Sequence, residues 1–123
     1  MFVRPLENRT TDGELGVLVA TALRRELARR GADGGPEAPA HLEGAVLLSA
    51  FGATAVGGTY QARVRVEVRL VVDGKTETEF TSEKAEELLA GQDPLESEGR
   101  RRLALRTAAE DLAREVVERL EVP

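Results

Sequence analysis

Residues 60–72 read YQARVRVEVRLVV, and this stretch decides the fold. Its even positions, from Tyr60 to Val72, are all apolar, whereas its odd positions carry mainly Gln, Arg and Glu. Successive side chains of a β-strand point to opposite faces of the sheet. The alternation therefore predicts a long strand with one face on a hydrophobic core and the other largely in water.

The residues that follow predict a hairpin and a second strand. Asp73-Gly74 is a common hairpin sequence. A plain two-residue turn would set Leu70 opposite Glu77, which pairs a core-facing residue with a residue expected to face solvent. We therefore favour a three-residue loop over residues 72–74, with a last strand over about Lys75–Lys84. This register predicts the pairs Val71–Lys75, Arg69–Glu77, Val68–Thr78 and Val66–Phe80.

Two further strands are predicted upstream of this hairpin. The apolar run Leu42–Ala50 predicts a largely buried strand, and the small residues 52–58 predict the turn that follows it. The opening segment Phe2–Leu6 predicts a short strand, in which Pro5 suits the edge of a sheet.

Two helices complete the predicted fold. Thr11-Asp12-Gly13-Glu14 fits a capping box with Thr11 as N-cap, and Gly31 predicts the end of this first helix. Residues 85–92 are predicted to be a connection, and Asp93-Pro94-Leu95-Glu96 predicts the start of a long helix to about Glu121. The order is βαβββα. We expect one α+β domain over residues 1–123, a two-layer sandwich with both helices on one face of a four-stranded mixed sheet.

Composition excludes several classes of function. The 123 residues carry a net charge of −5, which argues against a nucleic-acid partner. Aromatic residues make up only 3%, so the core must be aliphatic. The sequence contains no Cys and no apolar run long enough to cross a membrane as a helix.

Residues able to carry out catalysis are scarce. His41 is the only histidine, and no serine lies in a nucleophile motif. No glycine-rich segment is followed by the residues of a phosphate-binding loop. We therefore expect no catalytic residue, no metal site and no cofactor, and hence no enzyme.

The basic residues of the long strand are the candidate binding residues. Arg63, Arg65 and Arg69 share its solvent-facing side, and Lys75 and Lys84 could extend the row. One interpretation is a solvated face neutralised by glutamates of the next strand. The other is an anion-binding face, in which arginine forks grip the phosphates of a lipid headgroup. A second basic cluster, Arg100–Arg102 with Arg106, lies early in the last helix.

Three motifs, taken together, resemble a known family over nearly the full chain. They are the opening turn Leu6–Thr10, the Leu-x-Gly-x-Val strand at Leu42–Val46, and Asp93–Glu98 leading into the helix Leu103–Leu120. This layout resembles the LptE family of lipopolysaccharide-assembly lipoproteins. The resemblance implies a lipoprotein at the periplasmic side of the outer membrane, which plugs an LptD-type β-barrel and binds lipopolysaccharide. Arg63, Arg65, Arg69 and Lys75 are candidates for the lipid contact by their chemistry only.

The chain departs from the family pattern at its start. It carries neither a signal peptide nor a lipid-bearing Cys, so we expect a precursor that supplies the N-terminal lipid anchor. The asparagine turn also resembles the TolB N-terminal domain, CsgG-like proteins and LpoB-type activators. These imply a periplasmic protein-interaction module without a lipid ligand, and a small cytoplasmic enzyme or regulator is the third alternative.

Overall fold

The structure, a computed structural model, describes residues 1–54, 57–89 and 91–121. Its elements in chain order are β1 (Phe2–Val3), β2 (Glu7–Asn8), α1 (Leu15–Arg29), β3 (Ala40–Ala53), β4 (Thr59–Val72), β5 (Lys75–Leu89) and α2 (Pro94–Arg119). The strands form one mixed sheet in the order β1-β3-β4-β5, with β2 also beside β3. The predicted α+β sandwich is confirmed.

The alternation of β4 separates the two faces of the sheet. Val64, Val66 and Val68 are fully buried, whereas the alternating residues Arg63 and Arg65 are exposed. Apolar residues of both helices pack on the buried face, among them Leu23 of α1 and Leu112 of α2. Each such side chain contributes about 1.5–3 kcal/mol by leaving water. The opposite face of the sheet is open.

The opening strand is divided in two. β1 and β2 each contain two residues, and both run parallel to β3. The Arg4 N–H still donates to the carbonyl of Leu42 at 3.0 Å, and the ladder resumes at Glu7. Pro5 lies in the gap and has no N–H to donate. The prediction of one continuous strand over Phe2–Leu6 is therefore wrong, although its edge position is confirmed.

The β4–β5 hairpin has a different register from the predicted one. Asp73 and Gly74 both have positive φ, 50° and 80°, as in a two-residue type I′ turn. Val72 pairs with Lys75, and a bulge then leaves Glu77 as an extra residue. The register beyond the bulge pairs Leu70 with Thr78, Arg69 with Glu79, Val68 with Phe80 and Arg65 with Glu83. The extra residue thus lies in the strand and not in the turn, so the predicted three-residue loop and its pairs are wrong.

Strand β5 is longer than predicted. Residues 85–89, predicted to be a connection, continue the strand opposite the first residues of β4. The sequence does not predict this extension, because the two successive carboxylates of Glu86 and Glu87 break the apolar alternation that indicates a strand.

The turn before α1 is held by Asn8 and not by a capping box. The helix has Glu14 at its N-cap with no side-chain cap, so the predicted Thr11–Glu14 box is wrong. The Asn8 amide donates to the carbonyl of Asp12 at 2.6 Å, and its Oδ1 accepts from the backbone N–H of Thr10 at 3.0 Å. The predicted end of α1 is confirmed, because Gly31 is left-handed and the Ala32 N–H returns to Leu27 O.

The start of α2 follows the sequence signal. Asp93 is the N-cap, and its Oδ1 accepts from the Glu96 N–H at 2.8 Å. Pro94 occupies the first helical position, where its missing N–H has no consequence. From this point α2 crosses β5 and β4 and packs beside α1.

Candidate functional site

The open face of the sheet carries a row of arginines along β4. Arg63, Arg65 and Arg69 all project from this face, because they share the parity opposite to that of the buried valines. Their side chains are 41–45% exposed, so part of each guanidinium faces solvent. The structure therefore brings together three of the four predicted binding residues.

One carboxylate lies between Arg63 and Arg65. Glu83 Oε1 of β5 accepts from Arg65 Nε at 3.0 Å and lies 2.9 Å from its Nη2. Arg63 Nε lies 3.9 Å from Glu83 Oε2, and Arg63 Nη2 donates to Gln61 at 3.0 Å. Two guanidinium groups thus share one carboxylate, and this trio keeps one positive charge.

A second trio of the same composition lies nearer the N-terminus. Glu43 of β3 is 3.4 Å from Arg69 Nη2 through one oxygen and 3.4 Å from Arg4 Nε through the other. Glu67 projects from the same face between the two trios. The face is thus a ladder of alternating charges, in which arginines of the two trios alternate with Glu67 and with Glu79, the residue opposite Arg69.

Lys75 does not join this row. It pairs with Val72 at the hairpin end, and directly opposite residues project from the same face of a sheet. Val72 shares the parity of the buried valines, so Lys75 lies on the helix side of the hairpin tip. The structure therefore separates Lys75 from Arg63, Arg65 and Arg69.

Two arginines at the other edge were not singled out from the sequence. Arg4 completes the Glu43 trio, and Arg9 donates to Glu7 at 3.2 Å. The hydrogen bond from Arg9, and then its charge, lowers the pKa of Glu7, and the same hydrogen bond raises the pKa of Arg9. Only the parallel pairing of β1 and β2 with β3 brings these residues to the open face, and no local pattern encodes that pairing.

Three arginines of the basic cluster of α2, Arg100, Arg101 and Arg102, form ion pairs within the protein. Arg101 is 2.9 Å from Asp12 and 3.3 Å from Glu98, and Arg102 is also 3.3 Å from Glu98. The Asp12–Arg101 pair closes one side of a cleft of about 440 Å³ between α2 and the turn before α1. Carboxylates and guanidinium groups line this cleft together, so it has no excess of either charge.

His41 has a structural role. Its Nδ1 accepts from Arg4 Nε at 3.0 Å, its Nε2 lies 3.0 Å from the carbonyl of Pro36, and Phe2 packs edge-on against its ring. These contacts tie the loop before β3 to the opening strand. Both ring nitrogens already have partners within the protein.

Large apolar side chains are exposed at the end of the sheet where β5 stops. Phe51 and Tyr60 stack at 5.2 Å beside Leu88 and Leu89, and Leu89 is 63% exposed. On α2, Leu95 and Leu103 are 84% and 61% exposed. We call Phe51, Tyr60, Leu89, Leu95 and Leu103 the apolar end. The sequence did not reveal it, because these residues come from four separate elements and loops.

Metal and membrane signals are absent from the described residues. Residues 1–54, 57–89 and 91–121 contain no group of three or more side chains that could hold a metal ion. Over the same ranges, neither helix is both long enough and apolar enough to cross a membrane.

Comparison with solved structures identifies the fold. A lipoprotein from Caulobacter crescentus superposes with a TM-score of 0.74 at 19% identity, covering 94% of this chain and 87% of that one. The PelC dodecamer from Paraburkholderia phytofirmans gives 0.70 at 17% identity, with coverages of 99% and 86%. Rare lipoprotein B from Shewanella oneidensis gives 0.64 at 15% identity, with coverages of 98% and 94%. No curated protein matches the sequence.

The family comparison covers almost the whole chain. The family described as LptE, lipopolysaccharide-assembly, matches residues 1–120. That range includes both helices and every strand of the sheet. The chain belongs to the LptE family of lipopolysaccharide-assembly lipoproteins.

Proposed function

We propose that this domain is a non-catalytic component of lipopolysaccharide assembly, which binds lipopolysaccharide and supports an LptD-type β-barrel. The proposal places it at the periplasmic side of the outer membrane, held by a lipid anchor on its precursor. The observation that carries the proposal is the family match over residues 1–120.

The open face of the sheet is the proposed lipopolysaccharide site. Each arginine trio holds more guanidinium N–H groups than its single carboxylate can accept, and the arginines are 41–54% exposed. A phosphate that approaches Arg63 and Arg65 can bond their outer N–H groups while Glu83 retains its own contacts. Arg4 and Arg69 offer a second such point around Glu43. Lys75, at the hairpin tip, is the fourth candidate and would contact a different part of the lipid.

Lipopolysaccharide binding by charge-matched variants tests this assignment. We expect saturable binding that weakens with salt, because exposed charges are screened over about 10 Å at 0.1 M. Combined substitution of Arg63, Arg65 and Arg69 by Ala should weaken it at least about tenfold, since charge-assisted bonds are the strong ones. The matched control replaces Arg24, Arg25 and Arg106, three exposed arginines of the helices, and should bind normally. No binding by the native domain at low salt would refute the lipid assignment.

The apolar end is the proposed contact with the barrel. Leu89, Leu95 and Leu103 expose more than half of their surface, and exposed apolar clusters are typical of protein interfaces. Co-purification with an LptD-type barrel should fall when these three leucines become serine. Val17, 71% exposed on α1, provides the control as Val17→Ser. Equal recovery of the barrel with both variants would show that the apolar end does not contact the barrel.

A second candidate function has one specific observation in its favour. Arg63, Arg65 and Arg69 all have carboxylate partners within 4 Å, as the solvated-face interpretation requires. The domain would then be a protein-interaction module without a lipid ligand. Intact barrel co-purification together with absent lipopolysaccharide binding would select this alternative.

A further inference from the structure

The outer side of β5 is the long free edge of the sheet. Over the described residues, β5 pairs with β4 along its length and with no other strand. The opposite edge consists of β1 and β2, which contain only two residues each, and of the last residues of β3 beyond them. The unpaired backbone groups of an edge strand can accept a further strand. Residues near this edge therefore decide whether such pairing can occur.

Two arginines of α2 cap the edge at two points. Arg119 Nη1 donates to the carbonyl of Thr81 at 3.0 Å, and its guanidinium lies 3.8 Å from the centre of the Phe80 ring. Arg100 Nη1 donates to the carbonyl of Leu89 at 3.3 Å. In an antiparallel ladder, alternate residues direct both backbone groups to the same side of the strand. The odd residues from Thr81 to Leu89 therefore all direct these groups away from β4.

Three odd residues lie between the two caps. Glu83, Ala85 and Glu87 each direct one N–H and one carbonyl outward, which gives six backbone groups in all. The side chains of these residues are exposed as well, on the open face. We call Ser82–Leu88 the edge window. Its length matches a short added strand of about five to six residues.

The charge of the edge window favours one kind of partner. Glu83 and Glu87 lie four residues apart on one face, so pairing with an identical edge of a second copy brings carboxylates together. The other side of β5 shows which chemistry fits, since Arg65 faces Glu83 there and bonds it at 2.9–3.0 Å. Gln61 faces Glu87, so this carboxylate lies opposite an uncharged neighbour.

From these observations we propose that the edge window accepts an extended segment of another protein as an additional strand. That segment carries Lys or Arg at the position that faces Glu87, because Glu83 is already paired with two arginines. Backbone hydrogen bonds supply affinity, and the Glu87 carboxylate selects basic strands over acidic ones. The caps formed by Arg119 and Arg100 fix where the added strand begins and ends. The proposal rests on the backbone of β5 and on Glu87, neither of which takes part in the proposed lipopolysaccharide contact.

A peptide copied from β4 is a suitable probe. Residues 63–71, RVRVEVRLV, contain arginines four positions apart that already pair with β5 inside the protein. We expect saturable 1:1 binding of the labelled peptide to the full chain, measured by fluorescence anisotropy in the absence of lipid. A peptide with Glu in place of each Arg should not bind. Absence of binding by the arginine peptide to folded protein at low salt would overturn the proposal.

Two charge-reversal variants test the position of the site. Glu87→Arg lies inside the edge window and should weaken binding at least about tenfold through like-charge repulsion. Glu79→Arg is the matched control, because Glu79 is exposed on the same strand and face but lies beyond the Arg119 cap. Equal weakening by the two variants would mean general charge attraction and would overturn the proposal.

Alternate N-methylation of the peptide tests strand addition itself. In an added strand, one set of alternate peptide amides faces β5 and the other set faces away. Methylation of the first set should weaken binding at least about tenfold, whereas the peptide methylated at the second set should bind normally. Bound peptide should also slow hydrogen exchange at Glu83, Ala85 and Glu87. Equal binding of both methylated peptides contradicts strand addition. Self-association that protects the same amides would assign the edge to a second copy and would also overturn the proposal.

Discussion

The two faces of β4 show how one strand serves stability and function separately. Val64, Val66 and Val68 are fully buried under the helices, whereas Arg63, Arg65 and Arg69 remain more than 40% exposed. Burial of apolar surface is worth several kcal/mol over such a row, but exposed ion pairs contribute about 0–1 kcal/mol each. Substitution of charged residues on the open face should therefore cost little folding free energy, whereas substitution of the buried valines should cost much more.

The first prediction measures this contrast directly on neighbouring residues. Val66→Ala should lower the free energy of unfolding by about 2–3 kcal/mol, because it removes two buried methyl groups and leaves a cavity. Arg65→Ala, one residue away on the other face, should lower it by less than about 1 kcal/mol. Urea unfolding of both variants measures the difference. Equal losses would contradict the division of roles between the faces.

The second prediction concerns the close approach of β3 to β4. A Cβ at Gly44 would clash with the backbone oxygen of Glu67, so the two strands would have to separate. We expect Gly44→Ala to cost about 1–3 kcal/mol, as overpacking usually does. Gly52→Ala in the same strand is the control, since a Cβ there has open space. A thermal melt in which both variants unfold together would show that β3 can shift without loss.

The third prediction concerns a polar contact on the helix-covered face. Ser82 is buried and donates to Glu115 of α2 at 2.6 Å. This hydrogen bond is the main reason why the pKa of Glu115 is lowered, although burial opposes it and Lys84 assists. A lowered pKa means that the ionised form stabilises the fold above the unfolded-state pKa and that this contribution is lost as pH falls through the folded pKa.

The substitution Ser82→Ala should therefore cost about 1 kcal/mol at pH 7 and less in acid. Unfolding measured from neutral to acidic pH, on Ser82→Ala and the native protein, gives the comparison. Thr81→Ala is the control, because its exposed side chain lies on the open face, one residue away. A pH-independent difference would mean that Ser82 contributes by packing only.

The sequence predicted the faces of the sheet better than its pairing. Alternation in β4 is a local property, so the buried valines and exposed arginines could be assigned without knowing their neighbours. The β4–β5 register depends on whether one extra residue lies in the turn or at Glu77, and both choices keep apolar residues together. Glu83 could not be identified as the partner of Arg65 until that choice was made.

The candidate site shows the same limit. Arg63, Arg65 and Arg69 can be found because they recur on one strand, but the trio of Arg4, Glu43 and Arg69 joins β3 and β4 to the segment between β1 and β2. Lys75 is a candidate by its charge alone, and the turn directs it to the other face. The caps at Thr81 and Leu89 link α2 to β5 across the chain, and no sequence pattern indicates such contacts.

The last and smallest prediction compares the two helix starts. Asp93 caps α2 through its own side chain, whereas the turn before α1 depends on Asn8, which lies in β2. Asn8→Ala should lower the free energy of unfolding by about 1 kcal/mol, since it removes the bonds to Asp12 and Thr10. Thr11→Ala should have little effect, because Thr11 forms no hydrogen bond with the described residues. If chemical denaturation shows a larger loss of unfolding free energy for Thr11→Ala than for Asn8→Ala, Thr11 caps the helix as the sequence predicts.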